Sequence, residues 1–349
     1  MPGLQTYRGR RASSIENDRL RVTVLFEGGH VAEVLDKGSG MNPLWTPPWP
    51  SIEPSTYDAA LHTAYGEGVD ARLLSCIMGH NLCADIFGGP SAEEAAAGLP
   101  VHGEASTVLY EISADEGELT MQADLPLAGL WIERRLRLHG QAVSFRESIE
   151  NRGGIDRAIG WTQHVTLGPP FLQKGETIFR ASATRSRVHE GEFGTADYLV
   201  AGADFDWPLA PATRGGTVDL QRYPAGAVSS AYTAHLMDPR QDRAFFLAYS
   251  PTARLAFGYV WKRSDFPWLG IWEENGSRVQ PPWNGQTLTR GMEFGVSPFP
   301  ESRRQMVERG RLFESPTFRW IPARSRVSVE YWCVCHAADS APETLERPA

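Results

Sequence analysis

Residues 143–150 alternate strictly. Val143, Phe145, Glu147 and Ile149 share one face, and Ser144, Arg146, Ser148 and Glu150 share the other. A period of two is what an extended chain produces when one face is buried and the other meets water. The same signature recurs along the chain. Residues 20–36 read as a strand, a Gly-Gly turn and a second strand, and residues 107–124 repeat that plan around Gly117. Residues 131–138 form the first arm of a hairpin whose turn is His139-Gly140-Gln141 and whose second arm is 143–150. Further strands are expected at 177–188, 216–222, 228–237, 243–249, 254–261, 268–274, 287–297 and 325–336. Glycine (34 residues) and proline (25) punctuate these runs, as turn chemistry requires. Helical pattern is confined to 91–97, with Ser91 as N-cap, and 301–309. Many antiparallel strands at short spacing predict an all-β chain folded as a large sandwich. No blade-length repeat supports a propeller.

No linker divides the chain, so residues 1–349 are read as one domain with a core over about 18–336 and a polar, frayed tail at 337–349. A core of that size needs no disulfide or metal. The net charge is −8, and no basic run exceeds Arg134-Arg135 or Arg303-Arg304, which disfavours nucleic acid as a partner. No stretch approaches the roughly 18 apolar residues of a membrane span, and the N-terminal residues lack the apolar core of a secretory signal. The four cysteines, Cys76, Cys83, Cys333 and Cys335, are expected to be reduced and buried, as in a cytoplasmic protein. Cys76, His80 and Cys83 lack the paired spacing of a zinc site. Dinucleotide, P-loop and α/β-hydrolase motifs are absent.

Three short segments carry proton-transfer chemistry. His102 lies in Gly98-Leu-Pro-Val-His-Gly103, His164 in Gly160-Trp-Thr-Gln-His-Val-Thr-Leu-Gly168, and Glu293 in Gly291-Met-Glu-Phe-Gly-Val-Ser-Pro-Phe-Pro300. Imidazole and carboxyl groups are the usual carriers of protons near neutral pH. Met292 and Phe294 flank Glu293, so by period two the glutamate points away from their face, and its apolar surroundings raise its basicity. The plain alternatives are a core histidine bonded to a carbonyl and an exposed strand glutamate. His80 and Asn81, in Met78-Gly-His-Asn-Leu82, are either polar contacts from the same neighbourhood or a capped turn.

The order and framing of these segments resemble the galactose mutarotase (aldose 1-epimerase) superfamily over roughly residues 18–336. The resemblance implies a β-supersandwich with few short helices, a carbohydrate as small-molecule partner and no cofactor or metal. It casts His164 as the general acid that protonates the sugar ring oxygen, Glu293 as the general base and His102 as the first pocket histidine. Phe299-Pro-Glu-Ser302 completes the frame after Glu293. Trp268-Leu-Gly-Ile-Trp-Glu-Glu-Asn-Gly276 matches a strand that runs into a pocket loop, with Trp272 placed to stack on a sugar face. Glu273 and Glu274 are rivals for the base, Glu274 also as a substrate contact, and Asp206 stands in for the family's pocket aspartate or is a turn residue. The arginine that several mutarotases carry before the first histidine has no counterpart in 91–99. Fold alone does not fix activity. The expected function is therefore interconversion of sugar anomers, with two alternatives: a non-catalytic carbohydrate-binding or regulatory domain, and a metal-dependent sugar isomerase or lyase.

Overall fold

The structure, a computed structural model, describes residues 5–347 of the chain. Strands make up 46% of it and helices 7%. Two antiparallel sheets face each other across one large apolar core. The eight-stranded sheet runs, edge to edge, through Ile178–Ala181, Arg243–Ser250, Leu255–Lys262, Arg326–Ala337, Ala142–Asn151, Leu130–His139, Glu118–Leu125 and Glu111–Asp115. The central strands of the twelve-stranded sheet are, in order, His80–Asp85, Arg157–Leu167, Leu288–Gly295, Trp268–Asn275 and Ser229–Met237.

These central strands present different chemistry on their two faces. Leu82, Trp161, Val165, Met292, Phe294, Leu269 and Ile271 point into the core, where Phe145, Tyr259 and Tyr331 of the other sheet meet them. The opposite face is left to the functional side chains described below.

One buried polar cluster interrupts the core. The Arg134 guanidinium lies 2.7 Å from the Glu147 carboxylate, both side chains being almost wholly buried. Gln163 donates to Glu147 (2.7 Å) and accepts from the Tyr331 hydroxyl (2.9 Å). Trp161 also donates to Glu147. His80 joins through Gln163 Oε1 (3.0 Å) and the Tyr259 hydroxyl (2.9 Å). Each member desolvates on folding and is tolerable because the others satisfy it.

Several expected elements differ from the pattern reading. Residues 177–188 form two strands, Ile178–Ala181 and Ala183–Val188, which lie in different sheets, because the chain crosses between sheets at Ser182. Of 216–222, only Thr217–Asp219 is a strand, paired with Leu209–Pro211 in a two-stranded ribbon. Both short helices are present, Ala92–Ala96 and Arg303–Arg309, with Ser91 and Ser302 completing capping boxes. The tail is not frayed throughout. Leu345 is buried against Leu247, Tyr249, Val260 and Val334, covering apolar residues on the outer face of the eight-stranded sheet. No helix among the described residues is long and apolar enough to cross a membrane.

Glu147→Gln should destabilise the protein by about 3–5 kcal/mol in urea unfolding, because Arg134 would remain buried without its counter-charge. Arg304→Ala, which removes the exposed Arg304–Glu308 pair, should leave the unfolding midpoint unchanged.

Candidate active site

Cross-strand pairing places the two proton carriers side by side. His164 is the register partner of Glu293 on one side and of Asn81 on the other, and Glu293 is the partner of Gly270. The row Asn81, His164, Glu293, Gly270 therefore lies on the face opposite the core. His164 Nε2 is 3.1 Å from Glu293 Oε1. That oxygen has no hydrogen-bond partner, although it is buried.

Glycines make room for the Glu293 carboxyl. A Cβ on Gly291 would stand 2.2 Å from Glu293 Oε1, and one on Gly270 would stand 2.1 Å from the Tyr232 hydroxyl and 3.5 Å from Glu293 Oε2. Gly295, next along the same face, leaves no space for a side chain against Thr162. The result is a trough in the sheet surface with the acid at its floor.

His102 enters from a turn above the trough. Its backbone has φ +66°, a left-handed conformation that costs energy in a non-glycine residue. Two hydrogen bonds pin it there: His102 N–H donates to the Gly88 carbonyl (3.0 Å), and the His102 carbonyl accepts from Ala84 N–H (3.1 Å). Gly103 follows because a Cβ there would meet the Ala84 carbonyl oxygen at 2.0 Å. The His102 ring lies 4.9 Å from the His164 ring, centre to centre, and His102 Nδ1 has no partner.

Loops wall the trough into a cleft of about 240 Å³. At roughly 30 Å³ per water this is about eight water volumes, the scale of a single sugar ring. Leu73, Ile77, Phe87, Trp272 and Trp283 supply the apolar wall, and Trp272 lies 6.0 Å from His164 with its indole N–H unpartnered. The polar lining is completed by Asp70 and Arg278. Arg278 is stacked over Trp283 (4.8 Å) and Trp272 (5.6 Å), and one of its amino groups donates to the Phe193 carbonyl (3.2 Å).

Among the residues singled out from sequence, His102, His164, Trp272 and Glu293 line this cleft, and five others do not. His80 points into the core, held by Tyr259 and Gln163. Asn81 shares the face of His164 but donates to Ser106 (2.9 Å) and is fully buried. Glu274 stands behind the cleft wall, accepting from Ser277 N–H (2.6 Å), the Ser277 hydroxyl (2.7 Å) and Arg278 N–H (3.1 Å), so it shapes the loop that carries Arg278. Asp206 is exposed on the edge strand Asp204–Asp206, paired in register with Arg185. The rival base Glu273 is neutralised by Arg290 at 3.0 Å and bonded to Ser229 and Tyr198. Asp70, Arg278, Phe193, Tyr232 and Trp283 line the cleft without having been singled out. The signal for Arg278 was a cation four residues after Glu274, just beyond the strand. All four cysteines are buried and free, and no group of three His, Cys, Asp or Glu among the described residues is arranged to hold a metal ion.

Burial governs the protonation states. It pushes the Glu293 carboxyl well above the usual carboxylate range, and no neighbouring cation opposes it. Burial, with His102 adding to it, holds His164 well below the ordinary imidazole value, and burial brings His102 down to about 4.

No protein-family model matches the sequence, and no curated protein matches it. Solved structures do. A galactose mutarotase related enzyme from Lactobacillus acidophilus aligns at TM-score 0.60 and 11% identity, over 95% of this chain and 99% of that one. A galactose mutarotase-like protein from Clostridium acetobutylicum aligns at 0.60 and 12%, over 94% and 96%. A candidate aldose 1-epimerase from Klebsiella pneumoniae aligns at 0.65 and 13%, over 95% and 80%. At such identity the likeness establishes the fold: this chain has the galactose mutarotase-like sandwich.

The buried histidines make stability depend on acid. Burial lowers His102 to about 4 and His30 and His235 to about 3. Below pH 6.5 the unfolded chain binds protons that the folded chain refuses, so stability falls as pH drops from 6.5 toward these values. Each histidine contributes a slope of at most about 1.4 kcal/mol per pH unit. Glu293, with its raised value, contributes one opposite slope above about pH 4.5, which the histidines outweigh. Thermal unfolding should show a melting temperature that decreases steeply between pH 6.5 and 4. A flat profile there would mean that these imidazoles are not buried and neutral.

Proposed function

We propose that the cleft binds one aldose or aldose derivative and interconverts its anomers by paired acid–base catalysis. The observation that carries this reading is the pairing of two proton carriers, His164 and Glu293, 3.1 Å apart at the floor of a cleft the size of a single sugar ring. Ring opening needs one proton removed from the C1 hydroxyl and one delivered to the ring oxygen, and ring closure needs the reverse. A facing acid and base meet both needs and restore themselves in each cycle, with no cofactor consumed. Trp272 offers a flat apolar surface beside the reacting groups, suited to the C–H face of a pyranose. Arg278 and Asp70 supply a donor and an acceptor for hydroxyl groups at the mouth. The fold likeness to galactose mutarotase-like structures supports the same class of substrate.

Anomer exchange measured by NMR over a panel of aldoses tests this. At least one sugar should equilibrate faster than in buffer. Glu293→Gln and His164→Asn should each reduce the rate by about 10²–10⁴-fold. Arg278→Leu should raise KM by roughly ten- to a hundredfold while changing kcat little, because it removes a charged hydrogen bond to bound sugar. Saturable sugar binding with no exchange would instead make the protein a carbohydrate-binding module. Exchange that survives both Glu293→Gln and His164→Asn would refute the residue assignment.

A further inference from the structure

The row of cleft residues does not end at Trp272. One strand farther along the twelve-stranded sheet, Ser229–Met237 carries Tyr232 in register with Trp272. The Tyr232 ring leans back over the trough, since a Cβ on Gly270 would stand 2.1 Å from its hydroxyl. Ser229–Met237 lies two strand spacings, about 10 Å, from the strand that carries Glu293. Tyr232 therefore joins the floor of the cleft to a part of the sheet one ring-width beyond it.

There the sheet opens at its edge. The neighbouring strand Ala183–Val188 pairs with Ser229–Met237 as far as Val188 opposite Thr233, and His189 N–H still donates to the Tyr232 carbonyl (2.9 Å). The chain then leaves the sheet and returns at Ala196, whose carbonyl accepts from Ser230 N–H (3.0 Å). Beside this excursion lies a second hollow of about 210 Å³, against about 240 Å³ for the cleft. Phe193 and Tyr232 line both, with ring centres 5.0 Å apart, so the two hollows meet at one aromatic wall.

The excursion is tied down. Asp197 accepts from Phe193 N–H (2.6 Å), Gly194 N–H (3.1 Å) and the Ser230 hydroxyl (2.5 Å). A Cβ on Gly194 would stand 2.5 Å from the Ser230 side chain, so glycine lets the loop lie this close. Two further bonds join it to the loop that carries Arg278: the Thr195 hydroxyl donates to the Ser277 carbonyl, and Arg278 donates to the Phe193 carbonyl (3.2 Å). Phe193 is thus held in place before any ligand arrives, which lowers the cost of binding against it. Val188 and Leu199 add apolar surface to the second hollow, and His189 and Glu192 add polar groups. Gly191 N–H donates to His189 Nδ1 (3.2 Å), which leaves Nε2–H as the free donor of that ring. An aromatic wall with a few polar groups around it suits a ring with C–H faces and hydroxyl edges.

Resting on the anomer-exchange reading, we propose that the second hollow is a subsite for a second sugar ring and that the preferred substrate is a reducing disaccharide. The reducing unit lies over Trp272 with C1 at His164 and Glu293. The non-reducing unit passes the Phe193–Tyr232 wall into the hollow. The reacting groups remain those of the single sugar. The second ring adds binding that is equal before and during the reaction, so it lowers KM and leaves kcat nearly unchanged.

Calorimetric titration of the full chain with matched sugars tests this without relying on turnover. The pairs are glucose against maltose, cellobiose and lactose, which all carry glucose at the reducing end, galactose against galactobiose, and xylose against xylobiose. At least one disaccharide should bind about tenfold more tightly than its own reducing monosaccharide. Ala201 and Thr213 line the hollow and are exposed, so bulk at either position fills it without entering the core. Ala201→Trp and Thr213→Trp should each abolish the gain while keeping the wild-type melting temperature. Disaccharides that bind no more tightly than their reducing units, or a gain that survives both substitutions, would overturn the subsite. If the gain is found and both substitutions abolish it, but NMR shows no anomer exchange, the subsite stands and the anomer-exchange reading fails. If monosaccharides exchange and no disaccharide gains affinity, the exchange reading stands and the subsite fails.

Discussion

A carboxyl group without a donor, lying in a trough cut by Gly270, Gly291 and Gly295, sets the character of this cleft. Any Cβ at Gly291 would displace it, and any cation beside it would fix it as a spectator anion. The rest of the fold serves to hold that group opposite His164. Because a strand alternates with period two, a slip of one residue would turn Met292 or Phe294 into the cleft and bury Glu293 in the core. The polar cluster on the other side of the sheet works against that slip. Gln163, next to His164, is locked to Glu147, Tyr331 and His80, so the strand Arg157–Leu167 has one satisfied register.

Much of this was legible in the sequence where one face of a strand meets water. The hairpin of Leu130–His139 and Ala142–Asn151 follows from its alternation, and Glu293 is separated from Met292 and Phe294 by the same logic. The strands that build the site were harder to read. His80–Asp85 is buried throughout, and Arg157–Leu167 is buried beyond its first residue. Both carry polar side chains on both faces: His80 and Gln163 toward the core, Asn81 and His164 away from it. Alternation of polarity vanishes in such segments. Gly79 and Asn81 then read as a turn, although only Gly79 bends, with φ +56°, and the chain is extended from His80 onward. That is why His80, a core histidine, stood beside the pocket histidines in the sequence reading.

The loop residues were invisible for a different reason. Asp70 and Arg278 reach the cleft only through tertiary folding, from segments with no strand or helix period. Arg278 depends on Glu274, whose carboxylate gathers the Ser277 and Arg278 backbone N–H groups and turns the loop inward. Glu274 is thus read as a scaffold for a cleft residue, where sequence alone suggested a base or a substrate contact. Leu345 is a similar case, since its burial depends on the apolar outer face that Leu247, Val260 and Val334 assemble from three strands.

The proposed chemistry joins these threads: strand register sets His164 and Glu293 side by side at the floor of the cleft, and an aromatic wall beside them receives the ring. The most direct measurement is a crystal structure of the Glu293→Gln variant grown with an aldose that the wild-type protein exchanges. The expected result is a single pyranose stacked on Trp272, with O1 and the ring oxygen each at hydrogen-bond distance from one of the two groups, His164 Nε2 and the side chain at position 293. A sugar bound elsewhere, or one whose C1 points away from both groups, would contradict the assignment of this cleft as the site of anomer exchange.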